Sequence, residues 1–305
     1  MADAREVRVQ APAKVNLILR VLDRRPDGYH NLWSLMQTVG LEDELRLRLR
    51  PDRSGVTLTC DDPSLPVDGR NLVVRAAALV LERAASPGSR ASGVEIAIAK
   101  RIPVGAGLGG GSSDAAATIL GLSRLLGLRW SSSEMSKMGE SLGSDVPFFF
   151  HAPAAVVRGR GEDVTAVSLP GSRWVVLVNP GFPIETKWAY ERLSTSRGPV
   201  RPLSDRLAGL AARPSLAWED VTALMENDFE AALAPAHAVL GEIKQDLLGL
   251  GAESALLSGS GATIFGLFRD EASAVKARGA LSREGRRVHA VRTGSGPISN
   301  SLHVG

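Results

Sequence analysis

The chain has 305 residues, 44% of them hydrophobic and 23% charged, with a net charge of +3, which suits a globular protein with room for two domains and is too mild to point to a nucleic-acid partner. Cys60 is the sole cysteine and the five histidines are scattered, so an intrachain disulfide and a multi-cysteine metal site are excluded and a histidine metal centre is not expected. The opening Met1–Glu6 has no apolar signal region and no apolar run approaches the roughly 18 residues of a membrane span, so a cytoplasmic protein without a membrane partner is expected.

Residues 7–21 alternate, with Val7, Val9, Ala11, Ala13, Val15, Leu17, Leu19 and Val21 on one face and Arg8, Gln10, Pro12, Lys14, Asn16 and Arg20 on the other. That is the period of a half-buried strand, which Pro12 is expected to break in two or to mark as an edge with a bulge. Lys14 and Asn16, two apart, project to the same side, and on alternation alone Lys14 reads as a solvated lysine. Pro26-Asp27-Gly28 is a turn, followed at once by Tyr29 and His30. Further strands are predicted at Glu44–Leu49, Val56–Cys60 and Val94–Ala99, and a helix over Asn71–Ala85. Arg46, Arg48 and Arg50, alternating with Leu45, Leu47 and Leu49, read as the solvated face of the first of these.

The run from Pro103 to Ala117 places five glycines between Gly105 and Gly111, with Leu108 among them, then Ser112 and Ser113, then a helix-forming alanine series. Backbone that dense in glycine lets N–H groups converge on an anion, and a helix starting at the serines adds its own free N–H groups and positive end. The run therefore reads as a phosphate cradle. It is not a Walker A loop, which needs a lysine before its Ser or Thr. Gly105, Gly107 and Gly110 satisfy G-x-G-x-x-G, but Pro103 separates the loop from the preceding strand and the acidic residue of a dinucleotide site is missing. The H-R-D and D-F-G motifs of protein kinases are absent. A flexible linker would not lead into a well-capped helix.

Ser112 or Ser113 is expected to cap that helix, with Ala115, Ile119, Leu122 and Leu126 as its apolar stripe and Gly127 just past its end. Ser131-x-x-Glu134 is a capping-box pattern opening a helix lined by Met135, Met138 and Leu142 and stopped by Gly143. Asp145 then precedes a proline and the apolar Phe148–Phe150; it reads either as a turn aspartate bonded to its own backbone or as a carboxylate fixed for chemistry. The second half opens on a strand at Trp174–Asn179 and a helix at Glu185–Leu193. Residues 194–222 look least ordered, a tolerated surface insertion. A second glycine turn lies in Leu256–Phe265, followed by a helix at Glu271–Glu284 and a final strand at Arg287–Val291.

Three segments together resemble the three motifs of the GHMP small-molecule kinases: Ala11-Pro-Ala-Lys14-Val-Asn16, the glycine run, and Leu257-Ser-Gly-Ser-Gly-Ala262. Arg25–His30, Asn71–Arg75 and Leu142–Pro147 narrow the likeness to a branch serving the non-mevalonate isoprenoid pathway, whose alcohol substrate carries a cytidine diphosphate group. The resemblance spans nearly the whole chain and is weakest over 194–222. It implies an α+β fold of two domains around a deep cleft: an ATP-binding domain over 1–167, like domain 2 of ribosomal protein S5, and a ferredoxin-like substrate domain over 168–305.

The resemblance further implies ATP with Mg2+ as cofactor, although no carboxylate cage for the metal is evident. Asp145 would accept the proton of the attacking hydroxyl, and Lys14 would offset the negative charge that develops, which reverses the reading of Lys14 from alternation. ATP would be held by Asn71 and Lys100 at adenine and by Pro103, Gly105, Gly107, Leu108, Gly109, Gly110, Gly111, Ser112 and Ser113 along the phosphates. His30 would read the cytosine edge, Tyr29 and Tyr190 would sandwich the base, and Asn16 and Thr186 would contact the hydroxyls or diphosphate. A monomer or weak homodimer is expected. The alternatives are a homoserine- or mevalonate-type GHMP kinase, which has no base to stack on Tyr29, and a catalytically silent ligand sensor, against which the presence of both Lys14 and Asp145 argues. A nicotinamide oxidoreductase is the remotest.

Overall fold

Two long apolar strands form the spine of the molecule. The structure, a computed structural model, describes residues 6–85, 93–200, 202–294, 298 and the backbone of 302–304; most of the opening segment and Arg201 within 194–222 lie outside the described residues. β1 (Glu6–Arg24) and β2 (His30–Arg50) run antiparallel, joined by the predicted turn, where Gly28 adopts φ +87°. β2 is far longer than the Glu44–Leu49 strand expected, because residues 33–39 are buried almost without a break and show no alternation to read. β3 (Val56–Cys60) and β4 (Gly93–Ala99) are parallel to each other and linked by α1 (Leu72–Ala84), within the helix expected over Asn71–Ala85; its N-cap Asn71 accepts the Val73 N–H. β5 (Ala154–Gly159) pairs with β2, and β6 (Asp163–Ala166) with β5.

Pro12 does not break β1. The strand runs through it with shifts of register after Pro12 and after Asn16. Burial is continuous from Ala11 to Val21, so the alternation ends before the bulge at Leu17: Lys14 and Asn16 are only 3% and 1% exposed rather than solvated, and Leu17 and Ile18 are both fully buried. β1 feeds three apolar clusters in turn: Val7, Val9 and Ala11 join the first, Ala13 to Ile18 the second, Leu19 and Val21 the third. Arg46 and Arg48 are half-exposed while Leu45 and Leu47 are fully buried, as their alternation predicts.

α2 (Gly110–Leu125) lies against β1 and α1. Neither Ser112 nor Ser113 caps it: the N-cap is Gly109, in the left-handed conformation at φ +70°, so the helix starts inside the glycine run. Gly127, at φ +66°, closes it as predicted. α3 (Ser132–Gly139) has the full Ser131–Glu134 capping box but ends before Gly143, and α4 (Val146–Phe149) follows with Asp145 at its N-cap position.

The second sheet contains β7 (Trp174–Asn179), β9 (Ser254–Leu257), β10 (Ile264–Phe268) and β11 (Arg287–Arg292), all antiparallel, in the order β11-β7-β10-β9. With α5 (Thr186–Ser196) and α9 (Ala238–Gly249) before β9 and α10 (Glu271–Leu281) before β11, this is a β-α-β-β-α-β unit of ferredoxin type. Residues 194–222 are not a loose insertion. They form α6 (Asp205–Leu210) and α7 (Trp218–Thr222), and Leu207, Leu210, Leu216, Trp218 and Val221 enter the second apolar cluster. Two strands return from the second half to β1: β8 (Glu226–Asn227), leading into α8 (Phe229–Leu233), and β12 (Leu302–Val304), which lies beyond the expected final strand.

Candidate active site

A cleft of about 1130 Å³ opens between the glycine run and the second half of the chain. Lys14, Asn16, Tyr29, His30, Asn71, Lys100, Pro103, the loop from Gly105 through Ser112, Asp145, Thr186 and Tyr190 all line it. Of the predicted site residues only Ser113 does not. One turn inside α2, it is fully buried, and its Oγ has no hydrogen-bond partner among the described residues.

One wall is backbone. Gly105, Gly107 and Gly109 adopt φ of +64°, +76° and +70°, and the loop is pinned from two sides. The Lys14 N–H donates to the Leu108 carbonyl at 2.9 Å, tying the loop to β1. From the turn between β9 and β10, the Ser258 hydroxyl donates to the Gly107 carbonyl at 2.9 Å and the Thr263 N–H donates to that of Ala106 at 3.2 Å. A Cβ at Gly107 would overlap the Ser258 carbonyl oxygen, and one at Gly109 would come within 2.9 Å of the Lys14 side chain, so the close approach requires glycine. Asn71 presents its amide here, but each end already has a partner: Oδ1 accepts from Val73 and Nδ2 donates to the Pro66 carbonyl. The Lys100 ammonium is held by Asp43 and Asp114 and is not offered free to a ligand.

Lys14 and Asp145 meet beside this wall, with Nζ 3.4 Å from Oδ2. The lysine side chain is 4% exposed and the carboxylate 30%, so the acid opens to the cleft and the ammonium backs it. Nζ also donates to Asn16 Oδ1 at 2.7 Å. The Asn16 amide donates to Ser34 Oγ, which donates in turn to the Ile18 carbonyl, so a buried chain of hydrogen bonds orients the pair. A carboxylate supported by a desolvated ammonium, next to a loop of converging amides, can take a proton from a hydroxyl while the adjacent charge is stabilised.

The opposite wall is side chain. Tyr29 is 53% exposed, with the Arg160 guanidinium 4.5 Å above its ring. Tyr190 lies against two other rings. Its ring stacks on the His30 imidazole at 5.1 Å and 20°, and it meets Phe229 edge-on at 4.9 Å. His30 thus covers one face of Tyr190. Burial, with the Asp145 charge adding, pushes the Tyr190 phenol up to about 12. Burial and then the charges of Arg197 and Arg24 push the His30 imidazole down, so it stays neutral. Thr186 begins α5, and its hydroxyl lies 3.2 Å from that of Ser260.

Sequence reasoning missed Arg160, Phe229 and Ser260, which also line the cleft, and Asp43 and Asp114 behind the loop. Ser260 lay inside a quoted motif, and Asp114 directly follows the serines; Arg160 and Phe229 carry no local signal. Among the described residues no group of three or more His, Cys, Asp or Glu could hold a metal. Asp145 and the Ser112 hydroxyl border the loop. Such a sparse set fits magnesium that arrives on phosphates and keeps most of its waters.

Two families match the chain in order: the GHMP kinases N terminal domain over residues 71–152 and the GHMP kinases C terminal domain over 212–287. A 4-diphosphocytidyl-2-C-methyl-D-erythritol kinase of Geobacter sulfurreducens is 40% identical over 294 residues, covering 95% of this chain and 99% of the relative. The enzyme of the same name from Geobacter metallireducens is 43% identical over 272 residues, covering 89% and 92%. A crystal structure of a 4-(cytidine 5'-diphospho)-2C-methyl-D-erythritol kinase superposes with a TM-score of 0.73 at 37% identity, covering 95% of this chain and all of that one. A homoserine kinase of Cytophaga hutchinsonii, at 23% identity and a TM-score of 0.70 over 100% of this chain and 98% of its own, shares the fold.

Proposed function

The chain belongs to the GHMP kinases, and we propose that it moves the γ-phosphoryl of ATP to the 2-hydroxyl of 4-diphosphocytidyl-2-C-methyl-D-erythritol, giving ADP and the 2-phosphate. The likeness of about 40% over nearly the full chain to relatives of that name supports the substrate. The observation that carries the mechanism is the Lys14–Asp145 pair, 3.4 Å apart, between a backbone anion cradle and a histidine–tyrosine wall.

Phosphoryl transfer asks mainly for positioning and charge stabilisation. The amides of the loop from Gly105 to Gly111 and the start of α2 would hold the phosphates. Adenine would lie against Asn71 and the backbone near Lys100. Asp145 would take the hydroxyl proton, and Lys14 would face the charge spreading over the transferred group. Ser112 and Asp145, which line the cleft, would help hold magnesium carried by ATP, which would supply neutralisation of phosphate charge. Asn16 and Thr186 would orient the alcohol, and Tyr29, His30 and Tyr190 would receive cytosine once His30 and Tyr190 part. The aromatic contact is indifferent to which base it meets, whereas the imidazole edge discriminates. The same reading divides the chain near residue 167, with ATP chiefly on the first part. It places the protein in the cytoplasm as a monomer or weak homodimer; among the described residues no helix is long and apolar enough to cross a membrane.

The test is ADP release with the diphosphocytidyl alcohol against homoserine, mevalonate and the free methylerythritol phosphate. Turnover only with the first is expected. Preference for an alcohol without a base would overturn the substrate, and ATP binding without transfer to any alcohol would point to a sensor.

A further inference from the structure

The glycine loop has an anchor that the chemistry above does not use. Asp43 is fully buried in β2, and its carboxylate collects three donors from the segment just before the loop. Oδ1 accepts the N–H of Arg101 at 2.5 Å and of Ile102 at 2.9 Å, and Oδ2 accepts from Lys100 Nζ. The same Nζ donates at 2.7 Å to Oδ2 of Asp114, on the second turn of α2, just after the loop ends. A Cβ on Gly110 would lie 3.2 Å from that ammonium, so the end of the loop rests directly on it. The Lys100 and Asp114 side chains are 6% and 4% exposed.

We propose that Asp43, Lys100 and Asp114 form a positioning clamp that fixes the entrance and the exit of the glycine loop in the geometry that receives the ATP phosphates. The inference rests on the assignment of the phosphates to that loop. Five glycines in seven positions leave the free backbone many conformations, and ordering them at binding would weaken it. Tying residues 100–102 to residue 114 through one ammonium removes much of that freedom beforehand. A buried ion network suits the task because removing one member strands the others without water. It also gives Lys100 a role distinct from contact with adenine, since its ammonium is spent inside the clamp.

The test is calorimetry with a non-hydrolysable ATP analogue and, separately, with the diphosphocytidyl alcohol, on wild type, Asp114→Ala, Asp114→Asn and Asp43→Asn. Asp114→Ala should weaken the analogue roughly tenfold or more and leave the alcohol within about twofold, the scale of one lost charged hydrogen bond. Asp114→Asn keeps an oxygen for Nζ and should recover most of the loss. Should Asp114→Ala fail to fold, Asp43→Asn still decides the matter, because its amide must set an N–H against one of the donors that Asp43 now accepts: it should weaken the analogue several-fold and leave the alcohol within about twofold, and analogue affinity unchanged in folded Asp43→Asn, or both ligands weakened alike, overturns the clamp. Wild type that binds the analogue but not the alcohol defeats the substrate assignment while leaving the clamp measurable. Wild type that binds no analogue defeats both.

Discussion

The two walls of the cleft are held in different ways. The glycine loop is shaped by backbone, bonded to β1, to the β9–β10 turn and, through the Lys100 ammonium, to two buried carboxylates. The opposite wall depends on side chains: Tyr29 is half in solvent, and Tyr190 rests against His30. The first wall is held by hydrogen bonds and an ion network, and the second by ring contacts. On the proposed function, ATP would meet the hydrogen-bonded wall, and the base that distinguishes the alcohol would meet the wall made of rings. Rigidity at the phosphates lowers the cost of ordering them, while a closing aromatic pair lets the correct base contribute to assembling the site.

Asp145 stands between the walls, so its loss should damage neither binding surface and should give the largest kinetic effect. Asp145→Asn is expected to reduce kcat by roughly 100-fold or more, a general-base contribution, with affinity for both ligands changed only a few fold. Steady-state kinetics alongside direct binding check this; turnover near wild type would take the base role away from Asp145. The next effect belongs to the rigid wall. Gly107→Ala would force φ +76° on an L-residue, at about 1–2 kcal/mol, and drive its methyl against the Ser258 carbonyl. The Tm should drop by several degrees and the KM for ATP should rise about tenfold, with the KM for the alcohol far less affected. A parallel rise in both would mean that the walls are one mechanical unit.

The rigid wall was largely legible in the sequence because local rules govern it. The glycine spacing, the helix after Asn71, the 131–134 capping box and the stop at Gly127 each follow from the few residues involved. Where long-range packing decides, the sequence misled. Lys14 looked solvated because alternation cannot show that both faces of β1 are covered from Ala11 to Val21. The serines looked like caps because a left-handed Gly109 leaves no mark apart from being glycine. Residues 194–222 looked loose because their buried positions, Leu207 to Val221, are spread among polar and small residues. The stack of His30 on Tyr190 joins positions 160 residues apart and could only come from the folded chain.

His30 gives the smallest and sharpest test of the movable wall. Its imidazole is pushed below the usual 6.5 by burial and by Arg197 and Arg24, with Asp23 opposing. In the interval between the folded value and 6.5 the unfolded chain therefore holds a proton that the folded chain does not. The stability contributed by neutral His30 is full above 6.5 and is lost as pH falls through the folded value. Binding should follow the same sign. The neutral ring has one donor and one acceptor for the cytosine edge, and the protonated ring has two donors and repels Arg197 and Arg24. His30→Gln is expected to raise the KM for the diphosphocytidyl alcohol about tenfold at pH 8 and to leave the KM for ATP nearly unchanged. The ratio of variant to wild-type KM, which cancels the titration of ATP itself, should then shrink as pH drops below 6.5 and the wild type loses its acceptor. A KM for the alcohol that does not rise in His30→Gln at pH 8 would show that the imidazole does not read the base, and that selectivity on this wall comes from the aromatic faces alone.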